Sequence, residues 1–106
     1  MRSYDQSQLP ERLLCPGYRG RYIHSDQITQ GWVDIDANAP LPTHSHPHEQ
    51  WTTLLSGSFE LTVNGVPHLM TPGQTIYIAP NEPHSARSMS ACRVHDVFHP
   101  VREDYR

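Results

Sequence analysis

Cysteine is scarce in this chain: its 106 residues include only Cys15 and Cys92, too few for the disulfide framework that staples small secreted domains. Isolated thiols suit a reducing compartment, while a single bridge between the two stays open. No apolar run approaches the roughly 20 residues of a membrane span, and the opening segment MRSYDQSQLP lacks the basic and apolar regions of a secretory signal. A cytoplasmic location without membrane contact is the expectation. Basic residues are also few. Eight Lys and Arg against eleven Asp and Glu give a net charge of −3 with no basic run, so a nucleic-acid backbone is not an expected partner. Internal repeats, low-complexity segments and any amphipathic period long enough for a major helix are missing too.

What the chain has is punctuation. Ten prolines and six glycines are spread along its length, the mark of short strands joined by turns. Residues 1–16 read as an irregular arm, with room for a helical turn, and 17–106 as one domain, because the length allows one core and not two. Eight strands are predicted: Tyr18–His24, Gly31–Asp36, Gln50–Leu55, Ser58–Val63, Val66–Met70, Thr75–Ile78, His84–Met89 and Cys92–Phe98. The fold class is therefore all-β, an antiparallel β-barrel or jelly roll. Asn64-Gly65 between two alternating runs is a strong hairpin signal, since both residues must accept positive φ. In Phe59–Val63 the three apolar side chains share one face.

Eight histidines are the compositional anomaly, and three fall within five positions, in His44-Ser45-His46-Pro47-His48-Glu49-Gln50. Residues two apart on an extended chain point the same way, so His44 and His46 can grip one ion together. Gln50 opens the next strand and projects to the same side, and His84 arrives from a proline-rich turn. The cofactor expected is one divalent transition metal, with nickel, zinc, iron and manganese all compatible with these donors. Glu49 is an alternative fourth ligand and His48 a rim residue. His24, His68, His95 and His99 have no partner at ligand spacing and read as surface or turn residues. Loop histidines without a metal are the competing reading.

The last strand alternates so that Cys92, Val94, Asp96 and Phe98 share a face. A carboxylate among apolar neighbours is expensive to bury, which makes Asp96 a candidate general acid or base beside the metal. Exposure to water at the barrel rim is its other reading.

These motifs resemble the cupin family. Its first motif is Gly, five residues, His-x-His, three or four residues, Glu, six residues, Gly; its second is Gly, five residues, Pro-x-Gly, two residues, His. His44, His46, Gln50 and Gly57 fall on the first, and Gly73 and His84 on the second. Asn38 and Asn81 stand where the family has glycine, and Asn is the residue that best replaces glycine in left-handed backbone. Ala79 replaces a proline. Gln50 in place of glutamate leaves the metal charge uncompensated and removes the carboxylate of the two-histidine iron oxygenases. The implied fold is the RmlC-like jelly roll.

The ending Asp96-Val97-Phe98-His99-Pro100-Val101-Arg102-Glu103-Asp104-Tyr105, together with HSHPHEQ, resembles the KdgF-type pectin-degradation cupins. Members of that family linearise 4,5-unsaturated uronates to open-chain 4-deoxy-5-ketouronates. The resemblance implies Asp96 as acid or base, Phe98 as pocket wall and Arg102 as carboxylate anchor. Arg19 and Arg21 are weaker candidates for the anchor, with solvated strand-edge charges as the alternative. The small-molecule substrate implied is a sugar acid. An iron dioxygenase and a non-catalytic sugar-binding module are the other functions in play. Trp32 and Trp51 are expected partly outside the core, which points to a homodimer.

Overall fold

The computed structural model describes all 106 residues. Ten strands form, in chain order β1 (Arg12–Cys15), β2 (Tyr18–His24), β3 (Thr29–Ile35), β4 (Pro40–His44), β5 (Glu49–Ser56), β6 (Phe59–Val63), β7 (Val66–Met70), β8 (Thr75–Ile78), β9 (His84–Ser88) and β10 (Cys92–His99). They make two antiparallel sheets, one ordered β1-β2-β3-β10-β5-β8 and the other β4-β9-β6-β7. This is the jelly roll expected from the sequence. All eight predicted strands are present, with ends displaced by at most two residues.

Two strands were not predicted. β1 lies inside the segment read as an irregular arm and pairs with β2 through Arg12 and Gly20; its four residues are too few to show an alternation. β4 contains Pro40 and Pro42, which argue against a central strand. It is an edge strand, where a missing N–H costs no ladder bond. The rest of the arm holds one short 3-10 turn, Gln6–Gln8, capped by the Asp5 carboxylate accepting from Ser7 N at 3.0 Å.

Period two decides which side chains enter the barrel. On β3 the inward residues are Thr29, Gly31, Val33 and Ile35; on β10 they are Cys92, Val94, Asp96 and Phe98. Leu54 and Ile78 are fully buried, each worth about 2 kcal/mol of apolar transfer. In the cross-strand register, Gln50 pairs with Phe98, Thr52 with Asp96 and Leu54 with Val94. Polar inward residues thus gather at one end of the barrel and apolar ones at the other. Phe59 and Leu61 of β6 close the apolar end from the opposite sheet, as their shared face requires.

Both asparagines that stand in glycine positions adopt left-handed backbone, Asn38 at φ +58° and Asn81 at φ +65°. Asn64 and Gly65 do so as well, at +51° and +77°. The two thiols are free, which leaves no bridge between Cys15 and Cys92. Trp51 is 47 % exposed on the outer face and lies against Tyr77 with ring centroids 4.7 Å apart. Trp32 is half-buried beside His95. No helix is long and apolar enough to cross a membrane.

Candidate metal centre

Three strand ends and one loop meet at the polar end of the barrel. His44 closes β4, His84 opens β9 and the two are register partners. His46 lies in the loop between β4 and β5. One ring nitrogen from each of these three histidines lies within 4.8 Å of the other two. His44 is exposed, while His46 and His84 are buried, so the cluster has one face to solvent and one to the interior.

The tautomers follow from the backbone. Nδ1 of His44 faces Pro42 O at 2.9 Å, Nδ1 of His46 faces His48 O at 3.1 Å, and Nδ1 of His84 faces Glu82 O at 2.8 Å. A carbonyl only accepts, so Nδ1 of His44 and of His84 carries the proton and Nε2 presents a lone pair, whereas His46 has an acceptor at each ring nitrogen. This is the orientation that outer-shell carbonyls impose on metal-bound imidazole. Burial depresses the His46 pKa to about 4, helped by the charges of Arg102 and His84, and burial also lowers that of His84. Both rings are neutral near pH 7 and ready to ligate.

Two observations make a cation the natural occupant. His84 Nε2 is buried and has no hydrogen-bond partner. His46 faces an acceptor at both ring nitrogens, His48 O at 3.1 Å and Gln50 Oε1 at 3.0 Å; a neutral ring has one proton, and with it on Nδ1 the Nε2 and Oε1 lone pairs call for positive charge between them. Imidazole nitrogens and an amide oxygen suit a first-row divalent metal, and His44, His46, His84 and Gln50 are the residues that would hold it.

The loop carrying His84 is itself braced. Glu82 Oε1 accepts from Ala79 N at 2.7 Å, and Asn81 N donates to His46 O at 2.8 Å, which locks one histidine loop to the other. Glu49 points away, half-buried, with His99 3.9 Å from its carboxylate. His48 is half-buried, its ring 5.5 Å from that of His46 and outside the cluster.

Inside the mouth is a cavity of about 310 Å³, lined at its polar end by His44, Gln50, His84, Asp96 and Arg102. Asp96 is 8 % exposed, so it lies inside the barrel and not at a wet rim. Nor is it unpaired: Thr52 Oγ1 donates to Asp96 Oδ1 at 2.6 Å. Burial pushes its pKa up to about 6, against the Thr52 hydrogen bond, the nearby Gln50 amide and the charge of Arg102.

Arg102 is held on three sides. Asp104 takes its Nε–Nη2 edge at 3.0 and 2.7 Å, and the guanidinium carbon lies 4.0 Å from the Tyr105 ring centroid and 4.9 Å from that of Phe98. Its Nη1–Nη2 edge has no protein acceptor and is free for a carboxylate. Burial opposes its charge most strongly, but the Asp104 pairing together with Tyr105 and Tyr22 outweighs burial and raises the pKa above the ordinary arginine value. Arg19 and Arg21 are elsewhere. They pair with Asp36 and Glu11 on the outer surface and do not line the cavity, which removes them as anchors. His24 and His95 are half-buried and not surface residues: His24 bridges Thr29 Oγ1 and Tyr105 O, and His95 meets Gln30. His68 and His99 are exposed, as expected.

The sequence alone did not single out Thr52, Tyr22, Asp104 or Tyr105. Thr52 was within reach, two residues past Gln50 on one strand face. Tyr22 was not, because its place depends on a glycine of another strand. Its ring lies over Gly20 and Gly31, where an added Cβ would sit 2.5 and 2.4 Å from ring or hydroxyl atoms. Gly31→Ala should therefore displace the ring into the cavity and lower stability by about 1–3 kcal/mol; a urea midpoint equal to that of the parent would contradict this packing.

The cupin domain family model matches residues 31–98. The chain belongs to the cupin family. Among solved structures, this cupin superposes on an RmlC-like cupin from Shewanella frigidimarina with a TM-score of 0.92 and 23% identity, over 97% of this chain and 94% of that one. KdgF from Halomonas sp. gives a TM-score of 0.91 and 23% identity, over 97% and 96%. A variant of oxalate decarboxylase from Bacillus subtilis gives 0.82 and 18%, over 92% of this cupin and 29% of that chain. At these identities the likeness carries the fold, and the residues of this chain must carry the chemistry.

Proposed function

We propose that this cupin is a metal-dependent enzyme that opens the ring of 4,5-unsaturated uronates or closely related sugar acids. The observation that carries the reading is the convergence, at one cavity, of His44 and His84 from the histidine cluster, a buried carboxylate and an arginine with a free edge. The cavity volume lies at the small end of the range for ligand sites, which suits a monomer. A bound divalent metal would supply Lewis acidity toward a substrate oxygen. Arg102 would hold the substrate carboxylate through its open Nη1–Nη2 edge, with Phe98 as the wall beneath the guanidinium.

Asp96 then has the proton work. It takes the proton of the anomeric hydroxyl as the bond from the anomeric carbon to the ring oxygen breaks, leaving an aldehyde and an enolate at the former ring carbon C5. The proton returned to C4 gives the 5-keto acid. One proton leaves oxygen and one arrives on carbon, so the step is an isomerisation without a co-reactant. The test is the decay of the conjugated enol absorbance of lyase-derived monouronate. Faster decay with metal-loaded protein supports the proposal, and no acceleration on pectin or alginate products contradicts it. Saturable binding without conversion would mark a sugar-binding module instead.

Arg102→Lys keeps the charge but gives up the fork. It should raise KM about tenfold with a smaller effect on kcat, since ground and transition states share the carboxylate contact; an unchanged KM would count against Arg102 as the anchor. The exposed Trp51–Tyr77 pair supports a homodimer. Light scattering at micromolar concentration should give twice the chain mass, and a monomer there would refute it. The free thiols Cys15 and Cys92 support a cytoplasmic location.

A further inference from the structure

Gln50 poses a problem that glutamate would not. A carboxylate offers an oxygen whichever way it turns, whereas a primary amide offers an oxygen on one side and two N–H donors on the other. Donors repel a cation. We propose that Thr52 is a positioning residue: it holds the Gln50 carbonyl toward the histidine cluster through a hydrogen-bond relay that ends on Asp96. This rests on the metal-binding half of the function proposed above and not on its substrate.

The relay is continuous. Gln50 Nε2 donates to Thr52 Oγ1 at 2.9 Å, and Thr52 Oγ1 donates to Asp96 Oδ1 at 2.6 Å. All three residues are buried, where a hydrogen bond is stronger than in open water. A hydroxyl has one proton, and the Asp96 carboxylate claims it. What Thr52 then turns toward Gln50 is a lone pair, which accepts an N–H and rejects a carbonyl. With its amide nitrogen committed, Gln50 has only Oε1 to direct at His46 Nε2, 3.0 Å away. Turned over, the amide would set two acceptors against each other in a buried site at one end and two donors toward the metal at the other, both unfavourable.

Strand geometry makes the relay possible. Gln50 and Thr52 are two apart on β5, and Thr52 is the direct register partner of Asp96 on β10. The partner of Asp96 on its other side is Gly31, which has no side chain to compete for the carboxylate.

Zinc affinity, measured by competition with a chromophoric chelator, reads the orientation of the amide without any substrate. Thr52→Val keeps the shape and removes the relay. It should weaken zinc binding about tenfold, the lower range for loss of an outer-shell partner, and Thr52→Ser should stay within about twofold of the parent. Asp96→Leu removes the acceptor that sets the direction. Loss of its charge alone would act equally in both backgrounds, so a double-mutant cycle separates the two effects. The relay predicts that Thr52→Val costs less than about threefold once Asp96 is leucine. Parental zinc affinity in Thr52→Val, or losses that simply add, would overturn the proposal. If circular dichroism shows Thr52→Val unfolded, Thr52→Ala replaces it under the same criteria. Uronate turnover plays no part, so an inactive enzyme with an intact cycle fails the substrate reading alone.

Discussion

Asp96→Asn should lower turnover of an unsaturated monouronate about a thousandfold, within the span that positioned proton transfer contributes. The side chain keeps its size and can still accept from Thr52, but an amide cannot take up a proton near neutral pH. Asp96 lies outside the histidine cluster, so the variant should still take up one metal per chain at saturating metal. Any weakening of affinity through Thr52 is then overcome by concentration. Loss of turnover with metal bound assigns the proton to Asp96. A fall of less than about tenfold would move that role elsewhere in the cavity, whose wall carries the further hydroxyl of Tyr22.

His84→Ala should have the largest effect on metal binding. The ring is 2 % exposed, fixed through Nδ1 to Glu82 O, and its Nε2 has no other partner. Zinc sites of four ligands bind with about 10–16 kcal/mol, or roughly 3 kcal/mol per ligand, so losing one imidazole should weaken affinity about a hundredfold or more. A second readout is stability. At a metal concentration about 100 times its dissociation constant, the parent gains about 2.7 kcal/mol, and the variant should gain almost none at that same concentration. Equal thermal shifts in the two proteins would show that the ion binds elsewhere. Chelation of the parent should mimic the variant and reverse when metal is restored.

Much of this site was legible because it is written in period two. His44 and His46, Gln50 and Thr52, and Asp96 and Phe98 each sit two apart on extended backbone, and one inward residue fixes the next. The left-handed position of Asn64 was legible locally from its Asn-Gly turn, and those of Asn38 and Asn81 from the family glycines they replace. What escaped were relations between distant strands. β4 hides behind prolines that only an edge position permits. Tyr22 needs Gly20 beside it and Gly31 across the ladder, which no single segment announces. The failure of Arg19 and Arg21 as anchors has the same root: they alternate with Tyr18, Gly20 and Tyr22, and once those face inward the arginines must face out. Arg102 lies beyond the last strand, and its aim depends on Asp104 and Tyr105, set by a 3-10 turn too short to predict.

Anomalous diffraction from crystals soaked in zinc locates the ion directly. One peak per chain is expected, among the Nε2 atoms of His44, His46 and His84 and the Oε1 atom of Gln50. Absence of a peak there, or density only at the exposed His68 or His99, would contradict a metal centre at this end of the barrel.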